Sequence, residues 1–164
     1  MMYRAAFPSP LGTLTMYSNG SAITAIALPV WRHQPIAEST ESKDLTVFQQ
    51  AKSWLENYFT GAAASPIPPI QAVGTTFQQQ VWTLLREIPR GSTLTYGDVA
   101  RKLEERTGHH TSPRAVGNAV GRNPVAIMIP CHRVLGTGGS LTGFGGGLEA
   151  KRFLLELEGI PYHN

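Results

Sequence analysis

Thiol, imidazole and guanidinium follow one another without a gap at Cys131, His132 and Arg133, directly after Pro130. The thiolate is the nucleophilic form of cysteine, and cations beside the sulfur lower its pKa. The run could therefore build an activated thiol. The competing role is packing, because cysteine outside a disulfide is often buried as a small hydrophobe. The apolar residues 125–129 just before it read as a core strand and fit that second role. His132 and Arg133 favour the reactive one. Cys131 is the only cysteine in 164 residues, so no internal disulfide can form and a reducing, cytosolic setting is expected.

A second candidate for chemistry is Arg114, in the stretch "SPRAVGNAVGRN". Ser112 and Pro113 read as a helix cap followed by proline at the first helical position. Arg114 then falls in the first turn, where the helix dipole favours anions rather than cations. Gly117 and Gly121 each cost about 1 kcal/mol against alanine inside a helix. A helix of small residues could press into a groove without reading bases, with Arg114 projecting from its near end; alternatively, the two glycines pack against the first helix of the C-terminal part. The net charge of +3 is uneven. Residues 1–74 carry four Lys/Arg and four Asp/Glu, residues 75–164 carry ten and seven, and six basic residues face only Glu104 and Glu105 between 101 and 133. A modest basic patch of this kind begins a nucleic-acid-binding face.

These residues need elements to hold them. Residues 1–28 alternate and turn like a small antiparallel sheet, with Pro-Leu-Gly and Asn-Gly signals between strands. Residues 31–44 read as an irregular loop. "TVFQQAKSWLENYFTG" carries a helical stripe of Val47, Phe48, Ala51, Leu55, Tyr58 and Phe59 that ends at Gly61. The Pro-rich residues 62–74 read as a linker. Beyond it Thr76 and Gln79 suggest a capping box on a helix with Phe77, Val81, Leu84, Leu85 and Ile88 on one face. Thr95, with Asp98 three residues on, caps a second helix, and the Ser112 helix follows a loop bearing His109 and His110. Helix, short turn, helix is an arrangement that docks on DNA. The last helix, "GLEAKRFLLELEG", ends at Gly159. No apolar run is long enough to span a membrane, and the N-terminus lacks the pattern of a signal peptide. The domains expected are 1–74 and 75–164.

"IPCHRV" at 129–134, after "RAVGNAVGRNP" and before "GFGGGLEAKRFLLELEG", resembles the O6-alkylguanine-DNA alkyltransferases, the methylated-DNA–protein-cysteine methyltransferases. The resemblance is strong over about residues 75–160. It implies an α/β, ribonuclease H-like N-terminal part joined to a mainly helical C-terminal part with a winged helix-turn-helix. It also implies direct reversal of O6-alkylguanine, and of O4-alkylthymine, by a single irreversible alkyl transfer to Cys131 after the base is flipped out of the duplex. His132 would be the general base, acting through a water, Glu158 its orienter, and Asn123 the tie to the cysteine segment. Arg114 would fill the gap left by the flipped base. Tyr96 would rotate the 3′ phosphate and donate to the guanine oxygen. Thr95, Ser112, Ala115 and Thr137 would join them on the DNA, and Ala126, Val134, Phe144, Gly145 and Gly146 would line the pocket with Tyr96.

The chain departs from many relatives at Phe144, where they have tyrosine, and at Ala126, where some have proline. The structural zinc of some relatives needs N-terminal cysteines, which are absent here, so no metal and no cofactor is expected. The expected partner is double-stranded DNA carrying alkylated bases, with no membrane and no obligate protein partner, and with the protein a monomer. Two other readings remain. A lesion-binding module without repair is disfavoured by Cys131, which such relatives replace. A Cys/His hydrolase is disfavoured by the contiguity of the dyad.

Overall fold

Strands β1 (Tyr3–Ser9), β2 (Gly12–Ser18) and β3 (Ile23–Ala27) form the antiparallel ladder that the alternation predicts, in a computed structural model that describes residues 1–31, 38–63 and 65–164. Tyr3 pairs with Ser18 and Ser9 with Gly12, where φ is +101°. At the next turn the Asn19 side-chain oxygen accepts from the amides of Ser21 and Ala22, each at 3.0 Å. Ala5, Phe7, Leu14, Met16, Ile23 and Ile26 point into the core. Part of the expected 31–44 loop, residues 32–37, lies outside the described residues. Within the rest, Thr40–Glu41 forms a short strand β4, parallel to β1, so the sheet order is β3-β2-β1-β4.

Residues 62–74 do more than link. The amide of Ile23 donates to Pro69 O and that of Gln71 to Ile23 O, each at 2.8 Å. Residues 124–126 pair with the same strand, Ile26 N to Pro124 O at 3.0 Å and Ala126 N to Ile26 O at 3.1 Å. An otherwise open sheet edge is thereby capped. Helix α1 (Thr46–Thr60) buries Val47, Phe48, Ala51, Leu55 and Tyr58, and Gly61 ends it at φ +76°. The described residues form two units, Met1–Val73 with Pro124–Ala126, and Gly74–Asn123 with Ile127–Asn164.

In the second unit, helices α2 (Thr76–Leu85), α3 (Tyr96–Thr107) and α4 (Pro113–Gly121) pack on one another. The capping box of α2 is one residue earlier than expected: Thr75 and Gln78 make it, and Thr76 is already helical. The boxes at Thr95–Asp98 and the cap at Ser112 form as read. Trp82 of α2 donates to Ala119 O at 2.9 Å, which fixes α4 against α2 beneath its buried Val116, Ala119 and Val120. Burying the two valines stabilises by roughly 1.5–3 kcal/mol each. Gly117 faces the start of α3 and not α2: a Cβ there would meet the Tyr96 ring at 3.7 Å. Strands β5 (Leu94–Thr95) and β6 (Val134–Leu135) pair in parallel, and α5 (Leu148–Leu157) closes the unit over Leu135, Leu155 and Ile160.

The expected strand over residues 125–129 does not exist. The segment meets β3 in a single isolated bridge, Val125 opposite Ile26, and then turns, with Ile127 at φ +70°. That region is unfavourable for a β-branched side chain, and the complete burial of Ile127 and Ile129 accounts for its apolar composition.

Candidate active site

Two residues of parallel pairing position the centre of the second unit. Leu94 opposite Val134 and Thr95 opposite Leu135 bring the start of α3, and hence Tyr96, alongside the chain that has just left Cys131. Cys131 opens a three-residue 3-10 turn, Cys131–Arg133, and is 4% exposed. Asn123 is buried and donates to Ile129 O at 2.8 Å, which closes the turn before the cysteine.

The electrostatics of the sulfur differ from the reading of its neighbours as activating cations. Burial pushes the Cys131 thiol above its ordinary value. What opposes burial is the Asn123 side chain, the charge of Lys151 and the amides of Cys131 and His132. Arg133 is not among these, because its side chain turns away. Its Nε donates to Glu158 Oε1 at 2.8 Å and its Nη2 to Glu158 Oε2 at 3.2 Å, while Nη1 holds Ile88 O at 2.7 Å.

Glu158 is the hub of a buried network. Its carboxylate also accepts from Gly91 N at 3.0 Å and from His132 Nε2 at 2.6 Å, and neither the His132 nor the Glu158 side chain is exposed. Burial holds the imidazole below its ordinary pKa, so it is neutral at pH 7. A neutral ring that donates from Nε2 to a carboxylate keeps its lone pair on Nδ1. His132 therefore has the tautomer of a base, oriented by Glu158.

A second network lies on the other side of Cys131. Lys151 is 1% exposed and donates to Val134 O at 2.9 Å and to Thr142 Oγ1 at 3.3 Å. Thr142 Oγ1 lies 2.8 Å from the Tyr96 hydroxyl. Desolvation lowers the Lys151 pKa to about 8, with the Cys131 charge acting against it. Burial raises that of Tyr96, with the Cys131 charge adding to it.

Cys131, His132, Glu158, Asn123, Val134 and Tyr96 thus converge. Phe144 and Gly146 are buried, and with Gly145 they form the turn that leads into α5. Arg114 and Thr137 are exposed, Arg114 in the first turn of α4. Thr95 and Ser112 are helix caps, Ser112 Oγ accepting from the amide of half-buried Ala115 at 3.1 Å. Ala126 is fully buried but its backbone is bonded to β3 of the first unit. Sequence reasoning missed Lys151, Thr142 and the actual partner of Arg133. A signal was present for the first: Leu148, Lys151, Leu154, Leu155 and Glu158 share one helix face, so two charges interrupt an apolar stripe.

Residues 76–160 match the family described as 6-O-methylguanine DNA methyltransferase, DNA binding domain, and residues 2–66 match 6-O-methylguanine DNA methyltransferase, ribonuclease-like domain. The chain is 46% identical over 163 residues to the methylated-DNA–protein-cysteine methyltransferase of Haemophilus influenzae, covering 98% of this chain and 88% of the relative. It is 39% identical over 158 residues to that of Methanosarcina acetivorans, covering 96% and 99%. Among solved structures, Mycobacterium tuberculosis OGT in complex with DNA superposes with a TM-score of 0.85 at 39% identity, over 95% of this chain and 92% of that one.

Proposed function

This chain belongs to the methylated-DNA–protein-cysteine methyltransferases, and from that membership we propose that it repairs O6-alkylguanine in duplex DNA by direct reversal onto its own Cys131. The observation that carries the reading is a buried thiol next to a neutral His132 whose Nε2 is fixed by Glu158 at 2.6 Å. Nucleophile, base and orienter are the parts that thiol activation requires.

In the reaction the Cys131 thiol gives its proton to His132 Nδ1 through a water. The sulfur electron pair forms the S–C bond as the C–O6 bond breaks in line. The displaced pair passes to guanine, which accepts a hydrogen bond from Tyr96 at its oxygen and regains a proton at N1. The thiol's raised pKa fits a site that holds its thiol neutral until base and substrate are both present. The thioether has no leaving group, so each molecule acts once. A sulfur this buried needs the nucleotide brought to it. Flipping costs a few kcal/mol, less for a weakened lesion pair.

Residues 75–164 carry DNA binding and alkyl acceptance, with α3 and α4 as a winged helix-turn-helix and the small-residue face of α4 in the groove. Arg114, exposed at the start of α4, fills the space of the flipped base, with Thr95, Ser112, Ala115 and Thr137 nearby on the DNA. Val134, Phe144, Gly145 and Gly146 line the base pocket with Tyr96. O4-alkylthymine is a second substrate. The protein works as a cytoplasmic monomer without a cofactor; among the described residues no helix is long and apolar enough to cross a membrane.

A duplex carrying labelled O6-methylguanine tests the proposal. Label passes to the native protein and none to Cys131→Ala; label on Cys131→Ala, or release of a labelled small molecule with repeated turnover, contradicts it.

A further inference from the structure

Thr142 stands between Lys151, whose charge acts on the sulfur, and Tyr96, on which the sulfur's charge acts, and its single hydroxyl meets both: Lys151 Nζ at 3.3 Å and Tyr96 OH at 2.8 Å. The direction of these bonds follows from the donors. An ammonium can only donate, so Thr142 Oγ1 accepts from Lys151. Its one hydrogen then goes to the Tyr96 oxygen, and the Tyr96 hydrogen must point elsewhere. In the reverse arrangement Thr142 would accept both bonds, and its own hydrogen would have no acceptor among the described residues. The donated charge of Lys151 also polarises the chain in the first sense.

The surroundings hold Thr142 in this orientation. A Cβ on Gly136 would come within 3.0 Å of the Thr142 methyl carbon and 3.3 Å of Ser140 Cβ. The same loop is closed by Gly136 N donating to Ser140 O at 2.8 Å. Gly136 thus leaves room for a threonine methyl turned one way, with its hydroxyl towards Tyr96 and Lys151.

We propose that Thr142 is a positioning residue: it takes a hydrogen bond from Lys151 and gives one to Tyr96, which leaves the Tyr96 hydroxyl to donate to the alkylated base. The inference rests on the alkyl-transfer reading above. It assigns Thr142 no contact with the substrate and no proton of its own to the reaction.

The test compares the native protein with Thr142→Val, which keeps the shape and loses the hydroxyl, and Thr142→Ser, which keeps the hydroxyl. Methylation of Cys131 is timed at saturating O6-methylguanine duplex. Duplex affinity is measured with each change placed in a Cys131→Ser background. Loss of the orientation of one hydrogen bond to the alkylated base slows Thr142→Val about tenfold, with affinity nearly unchanged and with Thr142→Ser restored close to the native rate. A Thr142→Val that reacts as fast as the native protein overturns the proposal. So do equal losses in the Val and Ser variants, or a loss that resides in affinity alone, since these report packing. A native protein that leaves Cys131 unmethylated overturns the alkyl-transfer reading, and the proposal with it.

Discussion

Helix α5 buries one charge in its second turn and another just past its end, and the two are held in opposite ways. Glu158 accepts from His132, Arg133 and Gly91, so its carboxylate is compensated by a guanidinium and fully hydrogen-bonded. Lys151 has no carboxylate partner among its hydrogen bonds, only Val134 O and Thr142 Oγ1, and desolvation brings its pKa to about 8. One charge holds architecture. The other is left near neutrality's edge, close enough to the sulfur to favour its anion. The difference shows how one amphipathic helix supplies both the frame of a thiol site and its electrostatic bias.

The sharpest way to break this comparison is to remove Glu158. Glu158→Ala strands a buried guanidinium and frees the imidazole, and uncompensated buried charge costs about 3–5 kcal/mol. Urea unfolding should show a loss of that size, and alkyl transfer should fall with it. A loss below about 1 kcal/mol, the range of an exposed pair, would mean that the network is not a structural hub.

Lys151→Met should behave differently. A shift from 10.5 to about 8 costs the folded state about 3 kcal/mol at pH 7, at 1.36 kcal/mol per unit. Leaving Val134 O without its donor costs roughly 1–3 kcal/mol. The two nearly cancel, so the variant should stay within about 2 kcal/mol of the native protein. The pH dependence is more specific. Between pH 8 and 10.5 the unfolded lysine holds a proton that the folded one has lost, so stability rises with pH in that window. The raised thiol contributes with the opposite sign, because there the folded state keeps the proton. The measurement therefore belongs in a Cys131→Ser background, where the rise should be present with Lys151 and absent with Met.

Gly91 tests the network from the backbone. Its φ of +84° aims its amide at Glu158, and a Cβ would meet Glu158 O at an ordinary 3.7 Å. Gly91→Ala should therefore cost only the backbone strain, about 1–2 kcal/mol, measured by thermal unfolding.

Legibility divides along the same lines. The hairpins, the α1 stripe and the caps at Thr95 and Ser112 were readable because periodicity and turn chemistry are local. The frame of the α2 cap was not, since "TTFQQQ" offers two overlapping boxes. Residues 125–129 misled because an apolar run records burial, and a buried turn through Ile127 looks like a strand. At the site, the residues themselves pointed to Cys131 and His132, and the family resemblance to Asn123 and Glu158. It could not show that Arg133 turns to Glu158, nor that Lys151, seventeen residues after Val134, reaches back to its carbonyl; such contacts are set by tertiary packing. Lys151 nonetheless left a mark, as a charge on an apolar stripe.

The most direct measurement is peptide mass spectrometry of the native protein after incubation with excess O6-methylguanine duplex. The account predicts one added methyl group per molecule, on the sulfur of Cys131, with repair of an equal amount of guanine and no more. An unmodified Cys131, or a methyl group on any other residue, would contradict it.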